Sequence, residues 1–103
     1  MKYSVSIDVP LIDEGLRFYR DALGFFEIAR PVATYAVLQC GDSQIGLIEK
    51  PAGSKPAPEC GDVRRHERQW TPVHIDFHVE DFEPFLDKAM KAGATCERKF
   101  ESG

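Results

Sequence analysis

A strand-then-helix unit occurs twice in this chain, in the same order and seventy residues apart. Residues 3–9 alternate strictly, with Tyr3, Val5, Ile7 and Val9 on one side and Ser4, Ser6 and Asp8 on the other. That period of two marks a half-buried strand. Residues 73–79 repeat it: Val73, Ile75, Phe77 and Val79 alternate with His74, Asp76 and His78, and Leu16 of the first following helix falls on Leu86 of the second. A tandem repeat restricts the fold more than any single element does. Each unit has one apolar sheet face to cover with its own helix, which leaves the two polar faces free to curve toward one another around a cleft. That cleft is the default ligand site.

After Pro10, Asp13 is placed to cap a helix in which Ile12, Leu16, Tyr19 and Leu23 recur at helical spacing, and Gly24 fits the position just past its end. Three strands are expected next, Phe25 to Arg30, Val32 to Cys40 and Gln44 to Glu49. Pro31 and the Gly41-Asp42-Ser43 turn separate them, and the last two form a hairpin. The order β-α-β-β-β makes residues 1–50 a first module. Residues 51–72 change character, because Pro51, Gly53, Pro56, Pro58, Gly61 and Pro72 punctuate a stretch holding Arg64, Arg65, His66, Arg68 and the lone Trp70. A structureless loop of about twenty residues is a linker between half-modules, a flap over a site, or a disordered stretch. Residues 73–103 begin a second module: the repeated strand, then a helix opened by Asp81 that accommodates Pro84 in its first turn and ends at Gly93. A further strand is expected from Ala94 to Phe100.

Size and charge narrow the possible functions. A chain of 103 residues is one domain with one core. It buries roughly 60–65% of its unfolded surface, which leaves little apolar surplus for a large closed cavity. Thirteen Lys and Arg against seventeen Asp and Glu give a net charge of −4. The cations form no stripe, so nucleic acid is not an expected partner, whereas a mildly acidic body tolerates or attracts a cationic small molecule. No apolar run approaches the ~20 residues of a membrane span, and Met1 leads straight into a strand without a signal-peptide pattern, so a cytoplasmic location and no membrane partner are expected. Cys40, Cys60 and Cys96 are odd in number and lack C-x-x-C spacing. Reduced thiols are expected rather than a disulfide framework or a thiolate zinc site.

Asp13 to Phe25 reads D-E-G-L-R-F-Y-R-D-A-L-G-F, and His74 to Asp81 reads H-I-D-F-H-V-E-D before a helix that ends K-A-G-A. With the intervening hairpin, these segments resemble the vicinal oxygen chelate superfamily of glyoxalase I, bleomycin-resistance proteins and extradiol dioxygenases. The resemblance spans nearly all of residues 3–100, and its most specific part is G-L-R-F-Y-R-D-A-L-G-F. It implies an α+β fold in which paired βαβββ modules form a curved mixed sheet around a cleft, within one chain or across a dimer. The second module is incomplete here, since it stops after strand, helix and strand. An open sheet edge of that kind invites pairing, so a homodimer or a longer chain is expected.

In the metal-dependent members, the resemblance implies a ligand early in the first strand of each module and a Glu on the last strand of each module. Carried over residue by residue, the first position falls on Ser4, a poor ligand for a divalent transition metal. Gly46 stands where the first carboxylate belongs, and Glu49, three residues on, has the wrong parity to face the same way. His74 matches the third position, and the fourth would lie past Gly103. A catalytic centre of this kind needs at least three protein ligands, so no metal is expected. A local alternative is that His74, Asp76 and His78 form a site of their own. Neighbours on one strand face lie roughly 6.5–7 Å apart, so sharing an ion would require distortion or a further ligand. As hydrogen-bonded residues lining a wet cleft they need neither. A His-Asp pair there is also suited to acid-base chemistry.

Two functions remain open on this reading. One is a metal-free small-molecule binder resembling the bleomycin-resistance proteins, with a cationic aromatic compound as the favoured ligand class. Phe26, Tyr35, Trp70 and Phe100 would supply stacking surfaces, and Ser4, Ser6, Asp8, His74, Asp76 and His78 the polar contacts. The other is a glyoxalase-like or dioxygenase-like enzyme in which a divalent Zn, Ni, Mn or Fe polarises vicinal oxygens of its substrate, with His74 as one ligand.

Overall fold

Residues 1–99 are described by the computed structural model of the chain, and the first half follows the expected order. Strand β1 (Val5–Val9) leads to helix α1 (Ile12–Leu23), then to strands β2 (Phe26–Val32), β3 (Tyr35–Cys40) and β4 (Ser43–Glu49). Helix α2 (Phe82–Lys91) follows after a long irregular stretch. The fold is α+β, with one mixed four-stranded sheet in the order β1-β4-β3-β2. β1 runs parallel to β4, whereas β3 is antiparallel to both β4 and β2. Parallel neighbours require a crossover, and the excursion through α1 provides it.

Alternation sorts the strands into two faces. Val9, Phe25, Ala36, Leu38, Ile45 and Leu47 are buried with Ile12 beneath α1, and Ile7, Leu16, Tyr19 and Leu23 pack against them. Leu38 and Leu47 are the largest fully buried side chains, and burying each stabilises the fold by about 1.5–3 kcal/mol. The helix comes close to the sheet at Gly15, where a Cβ would lie 3.2 Å from both Leu47 Cδ1 and Val9 Cγ1. Gly24 ends α1 in the left-handed conformation (φ 76°), and its N–H reaches back to the helix carbonyls. Glycine adopts that φ without a steric cost, as the sequence pattern requires.

Four expectations are corrected. Asp13 does not cap α1: the N-cap residue is Leu11, and the Ile12 N–H is taken instead by the Glu49 side chain. Pro31 does not break a strand but lies inside β2, with the turn falling at Ala33-Thr34. β2 is the sheet's edge and its register shifts between Ala29 and Val32, which is where a missing N–H can be tolerated. Residues 73–79 form no strand, because none of the described residues offers them a ladder to pair with. Residues 94–99 form no strand either, and Phe100 lies outside the described residues. The second module therefore contributes a helix and extended chain but no second sheet to the described structure. α2 forms as expected and packs against α1. Among the described residues, no helix is long and apolar enough to cross a membrane.

Candidate functional site

The face of the sheet turned away from α1 carries the residues opposite in parity to the core: Ser6 and Asp8 on β1, Gln44, Gly46 and Ile48 on β4, Tyr35, Val37 and Gln39 on β3. Phe26 joins them, because it pairs directly with Gln39 and directly opposed residues share a face. At the centre, Gly46 is flanked by Ser6 on one side and Val37 on the other. A Cβ on Gly46 would lie 3.0 Å from Ser6 Oγ, 3.0 Å from Tyr35 Cε1 and 3.6 Å from the Tyr35 hydroxyl oxygen. The missing side chain thus lets the Tyr35 ring lean across β4 toward β1. An aromatic ring and a hydroxyl meet over the buried backbone of Gly46, an arrangement suited to a flat ligand with a polar edge.

One end of this face is closed by the loop that follows β4. Arg64 Nε donates to Asp8 Oδ2 at 2.8 Å, and Nη1 donates to Ser54 Oγ and to the Lys55 carbonyl, each at 3.0 Å. The loop is also closed on itself, since the Gly53 N–H donates to the Arg64 carbonyl and the Arg64 N–H to the Ser54 carbonyl, both at 2.8 Å. His66 Nε2 bonds the Lys50 carbonyl at 2.8 Å. Neighbouring Arg65 is committed elsewhere. The Val63 N–H and, after it, the Arg65 guanidinium hold the Asp62 carboxyl below the usual carboxylate range. At the opposite end of the face, Gln44 Nε2 donates to Gln39 Oε1 (3.3 Å), and both residues line a shallow hollow with Lys2, Tyr3, Ser4 and Asp42.

The predicted site residues fall into three places. Ser6, Asp8 and Tyr35 come together on the open face, with Ser4 at its margin. Asp76 and His78 line a hollow whose other walls include Val5, Phe25, Cys40 and Ile45, residues of the helix side of the sheet, and Phe77 meets Phe25 edge to face (6.4 Å). Trp70 and His74 share a third hollow with Arg68 and Glu97, which form an ion pair at 2.9 Å. Within one chain, His74, Asp76 and His78 are therefore not joined to Ser6 and Tyr35. Arg64 was missed by sequence reasoning, as were Val37, Gln39, Gln44 and Ile48. Strand parity around the Gly41-Asp42 turn contains the signal for these last four, but nothing local singles out Arg64.

The donor set implied by the family's metal centre does not fit. Tyr35 and Ser6 fill the space beside Gly46 where a carboxylate would stand. Glu49 is turned to the other side and accepts from the Ile12 N–H at 2.9 Å. Ser4 offers only a hydroxyl, and His74 lies beside Trp70. Among the described residues, no three His, Cys, Asp or Glu side chains are grouped to hold an ion. Cys40, Cys60 and Cys96 are free thiols.

The family model described as Glyoxalase/Bleomycin resistance protein/Dioxygenase superfamily matches residues 4–103. No curated protein matches the chain.

Proposed function

This chain belongs to the Glyoxalase/Bleomycin resistance protein/Dioxygenase superfamily, and from that membership we propose that it is a metal-independent small-molecule-binding protein whose ligand lies on the open face of the sheet. The observation that carries this reading is the Tyr35 ring leaning over Gly46 beside Ser6, which puts a stacking surface where a metal-dependent relative would need a carboxylate. Tyr35 and Phe26 supply aromatic surface, Ser6 a hydroxyl, and Asp8 a carboxylate that favours an organic cation. The ligand class is a flat, amphipathic, cationic aromatic compound.

The working unit in this reading is a homodimer. Among the described residues the outer edge of β1 pairs with no strand, and residues 73–79 repeat its alternation with Val73, Ile75, Phe77 and Val79 all exposed. An open edge and an unpaired extended segment of matching pattern are complementary across two copies. Such pairing would also bring a second chain's His74, Asp76 and His78 within range of the face.

A thermal-shift screen of cationic aromatic compounds in the presence of a chelator tests the proposal. A ligand at 100 times its dissociation constant adds about 2.7 kcal/mol, so at least one compound should raise the midpoint by several degrees. A screen that stays flat in chelator and responds only after divalent metal is restored would transfer the assignment to the metalloenzyme reading.

A further inference from the structure

We infer that Arg64 is a resident competitor at the open face, an internal organic cation that a ligand must displace from Asp8. The inference deepens the proposal above and rests on it, since it concerns what governs entry to that same face. Asp8 is the carboxylate of the face, and the guanidinium of a residue 56 positions away already holds it at 2.8 Å. The Arg64 side chain is only 16% exposed, so the loop carries this group inward and does not present it to solvent. The same loop closes on itself through Gly53 and Ser54, which places the guanidinium reproducibly over the end of β1.

The energetics make the contact exchangeable. Asp8 remains 41% exposed, and an ion pair with one partner that open is worth little by itself. A competitor tethered in the same chain nevertheless acts at an effective concentration on the order of millimolar. Simple ammonium or guanidinium ions match that only at millimolar concentrations and above. A ligand that adds stacking on Tyr35 or Phe26 to its charge displaces Arg64 at lower concentration, because the aromatic contact adds to the ionic one. Arg64 thereby sets a threshold that admits aromatic cations and turns away small ones. When such a ligand binds, Arg64 leaves Asp8 and the loop at Gly53–Arg64 loosens.

The test is a calorimetric titration of benzamidine, a flat aromatic amidinium, with neutral benzamide as control. It uses the full chain, Arg64→Met, Asp8→Asn and the double variant. An internal cation weakens apparent binding by the fraction of time it leaves the face free, about fivefold for an exposed ion pair at the upper end of its range. Arg64→Met should therefore bind benzamidine about threefold to fivefold more tightly than the unmodified chain, with no gain toward benzamide and no gain in the Asp8→Asn background. Hydrogen exchange supplies a readout that a purely structural staple would not give: benzamidine should accelerate exchange at the Gly53 and Arg64 amides of the unmodified chain. Equal benzamidine affinity with and without Arg64, or slowed exchange at those amides, overturns the competitor role and leaves the binding function standing. No benzamidine binding to any variant overturns both.

Discussion

The carboxylate of Glu49 accepts a hydrogen bond from the backbone N–H of Ile12 at 2.9 Å, so the last residue of β4 caps the first turn of α1 across 37 positions of chain. A carboxylate at a helix N-terminus satisfies an orphan donor and complements the helix dipole. Glu49→Ala should lower the unfolding free energy by about 1 kcal/mol in chemical denaturation, and Glu49→Gln by less, because the amide oxygen still accepts. An unchanged midpoint for Glu49→Ala would show that α1 starts without this cap.

The approach of α1 to the sheet is set by Gly15 against Leu47 and Val9. Leu47→Ala should cost about 2–5 kcal/mol, since the side chain is fully buried and the space cannot collapse fully. Gly15→Ala places a methyl 3.2 Å from Leu47 Cδ1, a crowding that offsets the helix propensity an alanine gains inside α1. The double variant should lose less than the sum, with a coupling of about 0.5 kcal/mol or more, because removing the leucine makes room for the methyl. Strict additivity in urea titrations would contradict the contact.

Burial beneath Phe18 and Phe25 pushes the Tyr19 phenol above its ordinary value of 10.0. A raised folded-state pKa on an acid means that the native chain holds its proton where the unfolded chain has released it. That contribution is complete below pH 10.0 and is lost as pH climbs above it. Subtracting the stability profile of Tyr19→Phe from that of the unmodified chain should leave a downward slope confined to the alkaline side. Parallel profiles across that range would mean Tyr19 titrates alike in both states.

The first module is legible in the sequence because its signals are local. The alternation of residues 3–9, the helical spacing from Ile12 to Leu23, Gly24 and the Gly41-Asp42 turn each report a conformation within a few residues. What escapes is decided at long range. Pro31 reads as a breaker until the sheet order makes β2 an edge. Glu49 reads as a misplaced ligand until the crossover returns it to α1. Asp8 reads as a free carboxylate until a loop arginine reaches it. The repeat at residues 73–79 has the pattern of a strand, but a strand also needs a neighbour. The same holds for the candidate site: parity singles out Ser6 and Asp8 and aromatic character Tyr35, whereas the separation of Trp70 and His74 from them follows from the path of the loop.

Metal content bears on the function directly. Protein purified without chelator should contain well under one equivalent of Zn, Ni, Mn or Fe per chain, and His74→Ala should leave that figure unchanged. Elemental analysis showing a stoichiometric metal that disappears in His74→Ala would refute the metal-independent reading.

The most direct measurement of the central claim is an amide chemical-shift titration with benzamidine in the presence of chelator. Binding on the open face predicts saturable shifts at Ser6, Asp8, Tyr35 and Gly46, weakened in Tyr35→Ala. Shifts confined to the neighbourhood of Trp70 and His74, or appearing only after a divalent metal is added, would contradict it.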